Sequence, residues 1–156
     1  MRPLVAVIGG SLCSKETSLL AEKVGEHLAA CGVVLVCGGL GGVMEAAARG
    51  AKRAGGTTVG ILPGFSAREA NAYIDIPIVT GLSHARNVIV VRSAEAVIAL
   101  PGEYGTLSEI ALALNMGIPV IALKAWAMQK GVLHAETSQE AVQKALKLLP
   151  GFADGK

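Results

Sequence analysis

Four times in this chain a short run of apolar, mostly branched residues stops at a proline or glycine turn. Leu4 to Ile8 (LVAVI) runs into Gly9-Gly10-Ser11, and Val33 to Cys37 (VVLVC) into Gly38-Gly39-Leu40-Gly41-Gly42. Thr57 to Leu62 ends at Pro63, and Ala96 to Leu100 passes through Pro101, Gly102 and Gly105. Short continuous runs of this kind read as strands buried on both faces, as in parallel sheets. Glycine placed directly after them lets a loop backbone approach a ligand without a Cβ in the way.

The segments between the runs carry helical signals. From Ser14 to Cys31 the apolar positions Leu19, Leu20, Val24, Leu28 and Cys31 recur at helical spacing, with Ser14 able to cap the start and Gly32 the end. Val43 to Ala54 is rich in strong helix formers apart from Gly50, and its alanines allow close packing on a sheet. The polar stretch 64–73 has the length of a lid or binding loop. Ile74 to Val79 alternates and contains Pro77, which places it at a sheet edge. Ser83 is positioned to cap a helix whose first turn holds His84, Arg86 and Asn87, followed by Val88 to Val91. A helix from near Thr106 to Gly117, strands at Val120 to Leu123 and Val132 to Ala135, and a terminal helix opened by a Thr137/Glu140 capping box complete the series. The tail from Pro150 is expected to fray, and Lys124 to Gln129, with Trp126 and Met128, has no assignment. The alternation predicts one domain over 1–156, a Rossmann-like α/β fold: a doubly wound, mainly parallel sheet of about seven strands with helices on both faces.

Composition narrows the function. A formal net charge of +2, with 14 Lys and Arg scattered without a basic block, gives little field for a polyanion, so no nucleic-acid partner is expected. No apolar run has the length of about 20 residues that spans a bilayer, and the sequence goes straight from Met1-Arg2-Pro3 into a strand pattern. No membrane association is expected, and the location is expected to be cytoplasmic. The 3 cysteines form no CxxC pair and read as reduced, mostly packing residues. His27, His84 and His134 lie far apart with no metal-ligand spacing to cysteine, so no metal site is expected.

In a doubly wound sheet the ligand lies outside the carboxyl ends of the strands. There the loops after strands one, two and five share one site, with Gly10 and Ser11 in the first, and Gly38, Gly39, Gly41, Gly42 and Met44 in the second. The third holds Pro101, Gly102, Glu103, Tyr104, Gly105 and Thr106. A helix N-terminus after such a loop offers unpaired N–H groups and partial positive charge to a phosphate. The second loop is not GxGxxG, because Met44 stands where the third glycine belongs, so ordinary dinucleotide binding is disfavoured. Glu109, three residues after Thr106, fits two roles: half of a capping box, or a catalytic carboxylate beside a bound phosphate.

CGGLGGVMEAAARGA (Cys37 to Ala51), SHARN (Ser83 to Asn87) and ALPGEYGTLSE (Ala99 to Glu109) together resemble the LOG-like superfamily, often labelled "lysine decarboxylase-like", over nearly the whole chain. Hydrolytic members split a nucleoside 5′-monophosphate into ribose 5-phosphate and free base, with signatures near GGGxxGxM and PGGxGTxxE and an arginine on the intervening helix. The resemblance implies that Arg86 and Glu109 are the catalytic pair and that Gly102, Gly105 and Thr106 form the phosphate loop. Glu103 stands where the hydrolases usually carry the second glycine of PGG, and Asn87 replaces a lysine of the cytokinin-activating members. These departures, with GGVMEA and VRSAEAVIA, are similar to a short branch that includes molybdenum-cofactor carrier proteins. The ligand is thus expected to be a phosphorylated small molecule, a nucleotide or a pterin phosphate, either hydrolysed or carried and sensed.

Chemistry supports the first role assignment. Breaking an N-glycosidic bond builds positive charge on the ribose, which a carboxylate at Glu109 can stabilise while it orients water. An arginine at 86 can fork onto phosphate or polarise the leaving base. Glu103 puts a carboxylate in the phosphate loop, so either it points away or the ligand differs. No cofactor is expected: decarboxylation of lysine would require pyridoxal phosphate and a Schiff-base lysine, and Lys124 has no fitting partners. The alanine-rich helix faces and Val88 to Val91 carry more apolar surface than one sheet face needs, which predicts a homodimer or higher homo-oligomer.

Overall fold

The computed structural model describes residues 1–126 and 130–152. Seven parallel strands form one sheet in the order β4-β3-β2-β1-β5-β6-β7. They are β1 (Leu4–Ile8), β2 (Val34–Cys37), β3 (Thr58–Leu62), β4 (Ile76–Val79), β5 (Ala96–Ala99), β6 (Val120–Leu123) and β7 (Val132–Ala135). The helices are α1 (Lys15–Ala30), α2 (Val43–Arg53), α3 (Asn87–Arg92), α4 (Tyr104–Asn115) and α5 (Ser138–Leu148), with 3-10 turns at Ala67–Glu69 and Ser83–Arg86. The chain builds outward from β1 to β4, then returns to lay β5 on the other side of β1. The loops leaving β1 and β5 therefore diverge, which opens a crevice at the sheet's carboxyl edge.

Side chains of each central strand alternate between two cores. Val5, Val7 and Leu35 pack with α1, α2 and α5, whereas Ala6, Ile8 and Val36 pack with α3 and α4. Gly50 is explained by the first layer: a Cβ there would stand 1.9 Å from the Glu22 carbonyl oxygen, and one at Gly25 would stand 1.9 Å from that of Ala47. Backbone contact between α1 and α2 outweighs the helix penalty of glycine. On the second layer Val90 and Val91 are buried, while Val88, Ile76 and Ile78 remain partly open to solvent.

Four local expectations are corrected. Helix α4 begins at Tyr104, not near Thr106; Glu103 is its N-cap residue, and no side chain caps it, so the Thr106/Glu109 capping box does not form. Ser83 caps nothing: it lies inside the 3-10 turn at a φ of 53°, and Leu82 precedes the turn. The stretch 64–73 forms no wall of the crevice. It buttresses the second glycine loop instead, with Asn71 Nδ2 donating to the Leu40 carbonyl at 2.8 Å and the Asn71 N–H donating to the Gly39 carbonyl at 2.9 Å. At the start of α5, Thr137 Oγ1 accepts the Glu140 N–H at 3.1 Å, and the Glu140 carboxylate accepts the N–H of Glu136 rather than that of the cap residue. Met128 and the tail from residue 153 lie outside the described residues.

Candidate active site

The crevice holds a cavity of about 460 Å³, the size range of small-molecule sites. Of the residues singled out from sequence, Gly10, Ser11, Gly38, Met44, Arg86, Glu103, Gly105, Thr106 and Glu109 line it. Gly39, Gly41, Gly42, Pro101, Gly102 and Tyr104 do not, and most of them shape its walls from behind. The Pro101 carbonyl accepts the Gly10 N–H at 3.0 Å, and the Gly10 carbonyl accepts the Val43 N–H at 3.0 Å, so the three loops are stitched through Gly10. A Cβ on Gly102 would fall 2.0 Å from Thr106 Oγ1, and one on Gly42 would fall 2.2 Å from the Gly10 carbonyl oxygen. These glycines permit close contact between the loops.

Helices away from the cavity are capped by side chains; those facing it are not. Ser14 accepts the Thr17 N–H at 3.1 Å for α1, and Thr137 does the equivalent for α5. Neither α2, which starts from Gly42, nor α4 has such a bond. In α4 the Leu107 N–H is the first to return to the Glu103 carbonyl, so the N–H groups of Tyr104, Gly105 and Thr106 are left without an intrahelical acceptor. That end carries partial positive charge into a cavity floored by Thr106 and Glu109.

Arg86 is 9% exposed, and its Nε is buried with no hydrogen-bond partner. A buried guanidinium N–H without an acceptor is costly, and the residue also lines the cavity. One terminal nitrogen donates to the Asn87 side-chain oxygen, and Asn87 Nδ2 donates onward to Ser108 Oγ at 3.3 Å. Asn87 thereby ties the arginine to the first turns of α4. Gly38 makes room for the guanidinium, since a Cβ there would stand 2.6 Å from Arg86 Nη2.

Glu109 is 6% exposed on the second turn of α4, and burial pushes its carboxyl up from 4.5 to about 7 against the opposing attraction of Arg86. Burial lowers the Arg86 pKa, with Glu109 and Cys37 working to raise it. Among the described residues the two form no ion pair, so a gap separates a buried cation from a carboxyl that titrates near neutrality. Below them the Cys37 thiol is fully buried and pushed up to about 12, which leaves it inert. Glu103 is exposed at the rim. Its backbone is extended, and among the described residues its carboxylate forms no ion pair with Arg86.

Sequence reasoning passed over Leu12, Leu40, Pro63 and Ser83, all of which line the cavity. Leu12 is 90% exposed, an apolar side chain directly after Gly10-Ser11, and that juxtaposition was its signal. Ser83 was treated only as a cap.

Residues 2–148 match the model of the SLOG cluster4 family. The chain belongs to that family. Relatives of this SLOG cluster4 protein include an uncharacterised protein of Archaeoglobus fulgidus, 49% identical over 138 residues, 88% of this chain and 91% of that one. A probable cytokinin riboside 5′-monophosphate phosphoribohydrolase of Oryza sativa subsp. japonica is 36% identical over 111 residues, covering 68% of this chain but 45% of the rice protein. Among solved structures, the molybdenum cofactor binding protein of Rippkaea orientalis superposes with a TM-score of 0.88 at 37% identity, covering 92% of this chain and 95% of that one. The chain is thus similar both to a protein named for catalysis and to one named for binding.

Proposed function

We propose that this SLOG cluster4 protein binds a nucleoside 5′-monophosphate-like molecule in the crevice and hydrolyses its N-glycosidic bond, releasing free base and ribose 5-phosphate. The observation that carries the reading is the shared cavity: an uncapped helix N-terminus, a buried arginine with an unpartnered N–H and a buried glutamate titrating near neutrality form its walls. The amides of Gly105 and Thr106 receive the phosphate, where the α4 dipole favours negative charge. Glu109, ionised in part at neutral pH, faces the ribose; it stabilises the developing positive charge and takes a proton from the attacking water. The bond from C1′ to the base nitrogen breaks as the bond from water oxygen to C1′ forms, and the departing nitrogen takes up a proton from solvent, matched by the one that water gives Glu109. Arg86 supplies its free N–H to the phosphate or to the departing base.

One observation favours a second reading, in which the same site holds a phosphorylated pterin as cargo without cleaving it. The Rippkaea orientalis protein named for molybdenum cofactor binding is similar over nearly its full length, whereas the rice phosphoribohydrolase is matched over less than half of its own. Release of free base from a panel of nucleoside 5′-monophosphates, with Glu109→Gln as control, separates the two. Release that disappears in the variant supports hydrolysis. No release from any member, with thermal stabilisation by a pterin phosphate, supports the cargo reading.

A further inference from the structure

We infer that Trp126 is a positioning residue that latches the phosphate-binding loop from outside, an inference that rests on the phosphate-binding part of the reading above. The chain leaves β6 at Lys124, a non-glycine residue held at a φ of 57°. Left-handed backbone at such a residue is disfavoured and persists where surrounding contacts hold it. Beyond that turn Trp126 reaches the loop after β5, where its Nε1–H donates to the Gly102 carbonyl at 3.1 Å. Its ring also packs against Tyr104, with centroids 6.5 Å apart and planes tilted by 31°. Tyr104 is the first residue of α4 and stays 81% exposed, so Trp126 provides the ring contact that holds the helix start.

Both contacts fall on the segment that presents the free amides. Gly102 lies two residues before the helix and is fixed on its other side by Gly10, whose N–H bonds the Pro101 carbonyl. No side chain caps α4, and its first turn is held locally by the Leu107 N–H on the Glu103 carbonyl and by Ser108 Oγ donating to the Gly105 carbonyl at 2.7 Å, both inside the helix. The indole adds a restraint on the loop before the helix, from the segment that follows the neighbouring strand β6, and it is not among the residues that line the cavity. An amide array held in position loses less freedom when an anion arrives, and therefore binds it more tightly.

The chain has 1 tryptophan, so its fluorescence reports on this contact alone. The probe is AMP, titrated by calorimetry into Glu109→Gln, which should bind it without consuming it, and into the same protein carrying Trp126→Phe, which keeps a ring against Tyr104 but removes the N–H donor; thermal unfolding of the unliganded proteins checks that both are folded. Tryptophan emission of Glu109→Gln should shift as AMP binds, and the protein that also carries Trp126→Phe should bind AMP about three- to tenfold more weakly, the value of one ordinary hydrogen bond. Inorganic phosphate should displace AMP from both. Equal AMP affinity in the two proteins would overturn the latch while leaving the phosphate site standing. Absence of any AMP or phosphate binding by folded Glu109→Gln would overturn the site reading, and the latch with it.

Discussion

Replacing Glu109 by glutamine removes the one carboxyl among the described residues that the fold raises to near neutrality, and the structure sets the size of the effect. Burial raises this carboxyl from 4.5 to about 7, so the folded protein binds its proton more tightly than the unfolded chain does. The sign follows: the stability from the protonated group is fully present below the unfolded value and is lost as pH rises through the folded one. At about 1.4 kcal/mol per tenfold change in proton affinity, ionised Glu109 costs the fold about 3 kcal/mol. Glutamine mimics the protonated form and carries no such cost. The intrinsic effect of the substitution is common to all pH values, and other titrating groups are common to both proteins. What remains is the difference of differences: between about pH 5 and about pH 8 the variant should gain about 2–3 kcal/mol on wild type. Guanidinium unfolding across that range reads it directly, and a domain of this length should show a relative melting shift of about 5–10 °C. A constant gap between the two proteins, or one that closes as pH rises, would refute the placement of a buried titrating carboxyl at 109.

Other perturbations test the neighbouring parts. In Arg86→Met the Glu109 carboxyl should titrate above about 7, because the attraction that lowers it is gone; carboxyl-carbon NMR follows the titration. Gly38→Ala should cost about 1–3 kcal/mol in denaturant unfolding, because its Cβ would stand 2.6 Å from Arg86 Nη2 and 2.7 Å from Met44 Sδ, and it should weaken AMP binding by displacing the guanidinium. Thr137→Ala removes the cap of α5, far from the crevice, and should cost about 1 kcal/mol in stability while leaving AMP affinity unchanged by calorimetry.

The strands were legible because each buried run has a sharp end: LVAVI, VVLVC and AVIAL stop at glycine or proline, and a fully apolar run has few other uses in a chain this short. The crevice followed from the alternation, since parallel order puts every glycine loop at one edge. Helix starts were harder. Thr106 and Ser83 look like caps because serine and threonine usually are, yet α4 starts earlier at Tyr104 and Ser83 turns left-handed. At both places the tertiary site, not local propensity, sets the backbone. Spacing along the chain marks the glycines as loop residues but does not encode that Gly42 and Gly102 make room for contact between loops. Asn87 read as a departure from a family pattern; in the fold it bridges Arg86 to Ser108. Trp126 carried no local signal, because its partner lies 24 residues away in sequence.

The most direct test of the central claim is a crystal structure of Glu109→Gln soaked with AMP, a variant chosen because it should bind the nucleotide without consuming it. The account predicts phosphate oxygens accepting the N–H groups of Gly105 and Thr106, with C1′ of the ribose facing residue 109. AMP bound with its phosphate away from the α4 N-terminus, or with its ribose turned from residue 109, would contradict it.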